Sequence, residues 1–243
     1  MASIGTTLRA APRAAAARLG QLLLRPKLRE EAGRPHFQLN ERAVEYSFAL
    51  RSLGEVEGRE VLDVGTGMSA WPHLIANCGF AVTAVDKYGS YWRSPMVNRH
   101  FQVLNQDITA PTLEQRFDAV TCISVLEHIP EHRAAVRGMI GLLRPGGHLI
   151  LTFPYNEGTY HPNAYDHPDA GYGQDASYVA QVYSREQLDQ WLADSGASLV
   201  AEELYEVFTG ELWTQGERIH PPRLSSVERP HHLACVVLEA PKP

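Results

Sequence analysis

The chain has 243 residues, of which 44% are hydrophobic and 21% charged, a balance typical of a globular protein with a sizeable core. Its formal net charge of -6 argues against a dedicated nucleic-acid-binding protein, which usually carries a basic domain. The cysteines Cys78, Cys122 and Cys235 are scattered, odd in number and without C-x-x-C spacing, so they indicate neither a disulfide framework nor a zinc knuckle and favour a reducing cytoplasm.

The N-terminal segment differs in charge from the rest of the chain. Residues 1–29 contain six basic residues and no acidic one, and alanine is frequent among them. We predict a basic arm over residues 1–36 and a single domain over residues 37–243. The composition of the arm also fits an organellar transit peptide or a segment on an anionic membrane surface. It lacks the run of roughly 20 apolar residues that spans a bilayer, so we expect a cytoplasmic protein without stable membrane contact.

Short apolar runs alternate with helical or loop segments along the domain. A first helix is predicted to follow Asn40, with Val44, Phe48 and Leu53 on its apolar face. Strands are predicted at residues 61–64, 81–85, 101–104, 117–123 and 148–153, then a helix at 184–194 and strands at 198–204 and 232–238. This alternation predicts an α/β fold whose mostly parallel sheet carries helices on both faces.

The turn after the first strand has the features of a ligand-binding loop. Gly65 and Gly67 allow the backbone to turn tightly and to approach a ligand closely. The pattern Gly65-x-Gly67-x-x-Ala70, with Asp86 on the next strand, also fits the dinucleotide fingerprint, so a nicotinamide or flavin enzyme is an alternative. Asp63 argues against that alternative, because its carboxylate suits an ammonium group and would repel a pyrophosphate.

Five sequence blocks follow one another at the ends of the predicted strands. They are VLDVGTG at 61–67, AVD at 84–86, NQDI at 105–108, FDAVTCISVLEHIP at 117–130 and LLRPGGHL at 142–149. In these blocks the chain resembles class I S-adenosylmethionine-dependent methyltransferases, which implies a Rossmann-like, seven-stranded sheet with an antiparallel last strand. Ser69 departs from the family pattern, because many members have a third glycine there; a serine can instead cap the next helix.

The resemblance assigns the methionine and ribose ends of the cofactor S-adenosylmethionine to the first two strands. Asp63, Gly65 and Gly67 would line its methionine end. Asp86 would accept hydrogen bonds from both ribose hydroxyls, a task that suits the two acceptor oxygens of a carboxylate.

The resemblance also assigns the adenine and the sulfonium. Asp107 would accept a hydrogen bond from the adenine amino group, and the backbone of Ile108 would meet a ring nitrogen. Ser124 to Leu126, after the fourth strand, would pass beneath the sulfonium. The family's cofactor would therefore occupy the carboxyl edge of the sheet, where open α/β folds bind ligands.

Methyl transfer from a sulfonium releases a neutral thioether, so positioning and activation of the nucleophile are what the protein must supply. A hydroxyl acceptor has to lose a proton, and His128 is the candidate base on the loop after the fourth strand. Glu127 is the candidate residue that orients the imidazole. The alternative is that both residues only secure the loop, because Leu-Glu-His recurs in methyltransferases of differing chemistry.

A metal-assisted reaction is a further alternative. Some enzymes that resemble this chain, including quinone and macrolide-sugar O-methyltransferases, hold a divalent ion near the acceptor, and Mg²⁺ would lower the pKa of the acceptor hydroxyl. The quinone-type enzymes have an additional acid where this chain has Ser124, and the spacing here is no metal motif. The candidate ligands are Glu127, His128, His161, Asp166 and His167.

Residues 154–183 have an unusual composition for a connection. No Lys or Arg occurs between Arg144 and Arg185, and aromatic and acidic groups without cations suit a neutral polyhydroxyl acceptor and disfavour nucleic acid. We predict a substrate lid here and a second insertion over residues 206–230 that includes Trp213; ordinary packing is the alternative for the tyrosines. Six of the ten tyrosines lie in this segment: Tyr155, Tyr160, Tyr165, Tyr172, Tyr178 and Tyr183.

These features lead to one main hypothesis and two alternatives. The main one is a methyltransferase for a hydroxyl of a sugar, oligosaccharide or glycoside, acting in polysaccharide biosynthesis. The first alternative is a quinone, lipid-like or natural-product O- or C-methyltransferase whose basic arm docks on an anionic membrane. The second is a cofactor-binding partner subunit without catalysis. The oligomeric state is left open, a homodimer included.

Overall fold

The computed structural model describes residues 40–67, 69–87, 101–174 and 176–242. The basic arm predicted over residues 1–36 lies outside these ranges. In chain order the elements are α1 (Arg42–Gly54), β1 (Glu60–Val64), α2 (Trp71–Asn77), β2 (Ala81–Asp86), β3 (Val103–Asn105), β4 (Phe117–Ile123), α3 (His132–Gly141), β5 (Leu143–Pro154), α4 (Arg185–Ser195), β6 (Ser198–Phe208), β7 (Arg218–Ser225) and β8 (Leu233–Glu239). Two 3₁₀ turns cover Leu126–His128 and Ala164–Asp166.

The strands form one eight-stranded sheet in the order β3-β2-β1-β4-β5-β8-β6-β7. Strands β1 to β5 pair in parallel, and β8 runs antiparallel between β5 and β6. The strand order reverses between β1 and β4, which is the place where open α/β sheets form a ligand crevice. The predicted Rossmann-like, mostly parallel fold with an antiparallel last strand is confirmed.

The prediction of seven strands was one too few. The additional strand, β7, lies within the segment 206–230 that we predicted to be an insertion, and it pairs antiparallel with β6. Pro221 and Pro222 made this stretch look like a loop. Proline is tolerated at the edge of a sheet, because the missing N–H there removes no bond to a second neighbour.

The two faces of the sheet are buried under different helices. Val61 and Ala119 pack in one apolar cluster with Phe48 of α1 and Trp71 of α2. The neighbouring residues in these strands, including Leu62, point to the opposite face, where the cluster contains α3 and α4. Side chains alternate between faces along a strand. A sheet buried on both sides therefore needs the continuous apolar runs found in β1 and β4.

The ends of the helices differ from the predictions by a few residues. Helix α1 begins at Arg42, and no side-chain hydrogen bond caps it, so Asn40 is not its N-cap. Helix α3 begins at His132, two residues after Pro130. Helix α4 follows the prediction closely because Ser184 and Gln187 form a capping box at its start. No helix in the described ranges is long and apolar enough to cross a membrane.

Candidate active site

A cavity of about 610 Å³ opens at the carboxyl ends of the parallel strands, where the strand order reverses. Its volume lies within the usual range for small-molecule sites, about 300–1,000 Å³. The cavity brings together most of the residues predicted from the sequence: Asp63, Gly65, Gly67, Asp86, Asp107, Ile108, Ser124 and His128. Glu127 is not among the described residues that line it.

The turn after β1 requires glycine for both conformational and steric reasons. Gly65 and Gly67 adopt left-handed φ angles of 72° and 51°, which side chains disfavour. A Cβ on Gly65 would lie 2.3 Å from a methyl carbon of Val125. The Gly65 N–H donates to the Val85 carbonyl at 2.9 Å, and this bond holds the turn against the end of β2.

Asp86 stands at the end of β2 beside this turn. Its Oδ2 accepts the Gly67 N–H at 2.8 Å, and its Oδ1 accepts the Lys87 N–H at 2.7 Å. Burial raises the pKa of Asp86, and the two backbone hydrogen bonds act in the opposite direction. Because each carboxylate oxygen can accept more than one hydrogen bond, Asp86 is fixed in position and retains acceptor capacity toward the cavity.

Asp63 lies deeper than the sequence suggested. It is 3% exposed, its Oδ2 accepts a hydrogen bond from the Thr66 hydroxyl, and its Oδ1 accepts one from the Thr121 hydroxyl at 2.9 Å. Burial raises the pKa of Asp63 to about 7, although both hydroxyl bonds lower it. We predicted a carboxylate open to a ligand's ammonium group, but both of its oxygens brace the turn and β4, because the carboxylate would otherwise be buried without partners.

Asp107 and Ile108 follow β3, and Asp107 is largely held by protein groups. Lys87 Nζ lies 2.5 Å from Asp107 Oδ2, and the Thr109 amide and hydroxyl donate to Oδ1 at 3.0 and 2.7 Å. The hydrogen bond from Lys87 and those from Thr109 lower the pKa of Asp107 to about 2. Lys87 had no role in the predictions, although its position directly after Asp86 is a sequence signal that we missed.

The floor of the cavity contains a polar network that sequence reasoning missed. Arg42, from α1, lines the cavity and contacts Glu45 Oε2 through Nη1 at 2.6 Å. Glu45 Oε1 accepts hydrogen bonds from the hydroxyls of Ser124 and Thr152. Tyr46 also lines the cavity and stacks on Trp71, with ring centroids 4.8 Å apart. Helix α1 therefore completes a site whose motifs all lie in later elements.

His128 is oriented by a backbone carbonyl instead of by Glu127. Its Nδ1 lies 2.7 Å from the Val179 carbonyl oxygen, and its Nε2 is 3.8 Å from Glu127 Oε1, which is too far for a hydrogen bond. Only a protonated Nδ1 can donate to a carbonyl, so Nε2 is the ring nitrogen left to accept a proton. The predicted role of Glu127 in orienting the ring is not supported by this geometry.

Glu127 itself is a buried acid behind the cavity. It is 2% exposed, and its Oε2 has no hydrogen-bond partner among the described residues. Burial raises the pKa of Glu127, and His128 and Arg42 oppose that rise. In the part of the chain that the structure describes, no group of three or more His, Cys, Asp or Glu side chains could hold a metal ion.

The tyrosine-rich segment serves mainly as core and as a brace. Tyr155, Tyr165 and Tyr183 are buried in the two apolar clusters, and the Tyr183 hydroxyl donates to the Leu126 carbonyl at 2.7 Å. Tyr178 lines the cavity and meets His128 edge-on, with ring centroids 4.7 Å apart. The predicted aromatic acceptor surface is therefore wrong for the three buried tyrosines, whose rings are removed from solvent by packing.

No described residue of the second predicted insertion, residues 206–230, lines the cavity. Trp213 lies between β6 and β7, is 8% exposed and packs against Tyr165 and Tyr172. Its Nε1 donates to Glu41 Oε1 at 3.2 Å, an oxygen that also pairs with Arg218. The strands on either side of this loop, β6 and β7, pair with each other as a hairpin. The loop contacts the first insertion through Trp213.

Comparison with known proteins identifies the family. Residues 12–202 match the family model of the methyltransferase domain, which is more than half of the chain. The chain belongs to this methyltransferase family. The enzyme class predicted from the sequence is thereby confirmed.

Two relatives of the chain carry the same name. It is 36% identical over 112 residues to the ubiquinone biosynthesis O-methyltransferase of Alkalilimnicola ehrlichii, an alignment that covers 43% of this chain and 45% of the relative. It is 28% identical over 224 residues to the enzyme of the same name from Xanthomonas campestris pv. campestris, with 84% and 85% covered. The first of these alignments thus spans less than half of the relative's length.

Solved structures share the fold of the methyltransferase. The 1,6-didemethyltoxoflavin-N1-methyltransferase of Burkholderia thailandensis, with bound 1,6-didemethyltoxoflavin and S-adenosylhomocysteine, has a TM-score of 0.56 at 17% identity, and the alignment covers 96% of this chain and 90% of that one. The N-methyltransferase NodS of Bradyrhizobium japonicum, bound to S-adenosylhomocysteine, has a TM-score of 0.52 at 17% identity, with 86% and 92% covered.

Proposed function

We propose that the protein is an O-methyltransferase that transfers a methyl group from S-adenosylmethionine to a phenolic hydroxyl of a small aromatic acceptor of the quinol type. The observation that carries the proposal is one cavity lined by the glycine turn, Asp86 and His128. The names of the sequence relatives, which are O-methyltransferases of ubiquinone biosynthesis, support the same chemistry.

The residues of the turn fit the cofactor. Gly65 and Gly67 line the cavity with left-handed φ angles, so the protein backbone itself, without side chains, can approach the ligand closely at this turn. Asp86 is held by two backbone N–H groups and can accept from a ribose diol. Asp107 and Ile108 would border the adenine. When bound, S-adenosylmethionine supplies an electrophilic methyl group.

His128 would take the proton of the acceptor hydroxyl. The Val179 carbonyl fixes the tautomer with hydrogen on Nδ1, so Nε2 can accept. The protein needs no general acid for the leaving group, which departs as a neutral thioether. Glu127 Oε1 lies 3.8 Å from Nε2, so an ionised Glu127 would stabilise the imidazolium that proton transfer creates.

The cavity walls favour a planar acceptor over a sugar. Tyr46, Trp71, Ile129 and Tyr178 supply apolar and aromatic surface to the lining, and aromatic rings pack well against such surfaces. The sugar hypothesis depended on a surface of exposed tyrosines, of which three are buried. A polysaccharide substrate therefore has less support than the quinol type.

Two matched acceptor panels would test the proposal. Calorimetry first measures S-adenosylmethionine binding, and methyl transfer is then measured with ortho-diphenols and with glycosides, each with and without MgCl₂. We expect saturable binding and transfer to diphenols. Transfer to glycosides alone would replace the quinol type by a sugar as the acceptor class. Binding of S-adenosylmethionine without transfer to either panel would favour a non-catalytic subunit. Saturable NADH binding without S-adenosylmethionine binding would overturn the proposal altogether.

A further inference from the structure

Glu45 is an acidic residue on the buried face of α1. It lies on the same face as Phe48, Ala49 and Leu53 and is 0% exposed. A carboxylate is costly to bury unless it is paired and hydrogen-bonded. An alanine or leucine would pack at this position at lower cost, so the packing of α1 against the sheet gives no reason for an acid.

Two of the three partners of Glu45, Ser124 and Arg42, line the cavity. Its Oε1 lies 2.5 Å from Ser124 Oγ and 2.6 Å from Thr152 Oγ1, and both hydroxyls donate to it. Its Oε2 lies 2.6 Å from Arg42 Nη1. The carboxylate thereby connects α1 to the ends of β4 and β5, and Arg42 is separated from Ser124 by only this one group.

Ser124 needs external support for its conformation. Its φ angle is 46°, in the left-handed region that residues other than glycine rarely adopt. Its N–H donates to the Thr152 carbonyl at 3.1 Å, and its hydroxyl is fixed by Glu45. Strained residues persist where the surroundings hold them, and they are concentrated at functional sites. Glu45 thus helps to determine the path of the backbone directly after β4.

The charge of Glu45 also matters for the cavity. Arg42 lines the cavity and its side chain is 38% exposed. Burial disfavours its charged form, yet its pKa is raised because Glu45 lies against it. Without the carboxylate the cavity floor would be more positive by one unit charge, and a positively charged ligand group near Ser124 would be repelled.

From these contacts we infer that Glu45 is a positioning residue for methyl transfer: it holds Ser124 in place and supplies the negative charge that makes the cavity floor compatible with the sulfonium of the donor. The inference rests on the proposed function, because it takes S-adenosylmethionine as the ligand and places its sulfonium near Ser124. Glu45 acts through Ser124 and Arg42 and has no contact of its own with the reacting atoms in this scheme.

The test compares a charged ligand with its uncharged counterpart. S-adenosylhomocysteine has the same adenosyl and amino-acid parts as S-adenosylmethionine but no sulfonium charge. In E45Q, which keeps a side-chain carbonyl acceptor, we expect the Kd of S-adenosylmethionine to rise on the order of tenfold, the effect of one unit charge about 10 Å away at an effective dielectric constant near 20. The Kd of S-adenosylhomocysteine should change about twofold or less. Replacing Arg42 as well, in R42Q/E45Q, should restore most of the lost affinity.

Glu41→Gln is the matched control. Glu41 immediately precedes α1, is 8% exposed and pairs with Arg218 outside the cavity lining. The substitution Glu41→Gln changes the net charge by the same amount as E45Q and should leave the ratio of the two Kd values unchanged. If E45Q weakened the binding of both ligands equally, the ratio of the two Kd values would be unchanged. That result would overturn the inference and leave Glu45 a purely structural role. Failure of the unmodified protein to bind either ligand would instead overturn the proposed function.

Discussion

The residues that line the cavity form two groups, here called the motif end and the assembled end, which are built in different ways. The motif end consists of the turn 65–67, Asp86, Asp107 and Ile108, which lie at or just after the ends of β1, β2 and β3 within short stretches of sequence. The assembled end consists of Arg42, Tyr46, His128 and Tyr178, which come from a helix before the sheet, a 3₁₀ turn after β4 and a segment after β5. A local turn can be recognised from a few adjacent residues, whereas a site assembled across the chain depends on packing that no single segment specifies.

The largest expected effect concerns the assembled end. His128→Gln removes the base but leaves a polar side chain, and we expect kcat to fall by roughly 10²–10⁴-fold, the usual contribution of a positioned general base. Affinity for S-adenosylmethionine, measured by calorimetry, should stay within about twofold of the unmodified protein. His132→Gln, on α3, is the control, because His132 accepts from Trp191 and lies outside the main cavity lining. A kcat unchanged in His128→Gln would remove the base from the mechanism.

The second effect concerns the motif end. Gly65→Ala forces a side chain into a left-handed conformation and against Val125, and we expect the free energy of unfolding to fall by about 2–4 kcal/mol. Binding of S-adenosylmethionine should be lost, because the turn has to move. Urea denaturation and calorimetry measure the two effects.

Gly141→Ala is the matched control for this substitution. Gly141 ends α3, and nothing lies within 4 Å of the position of its Cβ. Alanine is the better helix former, so the free energy of unfolding should stay equal or rise by up to about 1 kcal/mol. Equal destabilisation by both substitutions would show that the turn after β1 has no special requirement for glycine.

The same contrast explains what the sequence could and could not predict. The strand at 117–123 was predicted with its observed bounds, and α4 nearly so, because apolar runs and a capping box are local signals. Glu45 was missed because its role depends on Ser124 and Thr152, which lie 79 and 107 residues away in the chain. Its one local signal was an acid among apolar residues on the buried face of α1.

The tyrosine-rich segment shows the opposite failure. Composition suggested an exposed binding surface, yet Tyr155 and Tyr183 are 0% exposed. A tyrosine can be buried with its hydroxyl bonded to a carbonyl, as Tyr183 is to Leu126, and composition cannot distinguish that arrangement from a binding surface. β7 was missed for a related reason, since its two prolines mark a break in a central strand but not in an edge strand.

A pH dependence follows from the motif end. Asp63 has a pKa of about 7 in the folded protein because of burial, against about 3.9 when unfolded. The folded state therefore binds the extra proton, so this contribution to stability is complete below pH of about 4 and is lost as the pH rises through 7. The Asp63→Asn variant has no ionisable group at this position. Its free energy of unfolding should therefore decline less than that of the unmodified protein over this pH range, by on the order of 1–3 kcal/mol. Parallel curves for the two proteins in urea denaturation would contradict the raised pKa.

The smallest effect distinguishes the exposed rim of the motif end from its buried turn. Lys87→Met removes the partner of Asp107, and both side chains are well exposed, at 70% and 37%. Such pairs contribute about 0–1 kcal/mol, so the free energy of unfolding at pH 7 should change little.

The pKa of Asp107, now about 2 because of the bonds from Lys87 and Thr109, should rise toward its usual value in Lys87→Met, as measured in a titration followed by NMR. A lowered carboxyl pKa stabilises the folded state above the unfolded pKa. The free energy of unfolding that the unmodified protein loses as the pH falls from about 4 toward 2 should therefore be smaller in Lys87→Met. Lys242→Met, which removes an exposed partner of Glu239, should leave the pKa of Asp107 unchanged; a shift there would mean that general surface charge, and not the contact with Lys87, sets this pKa.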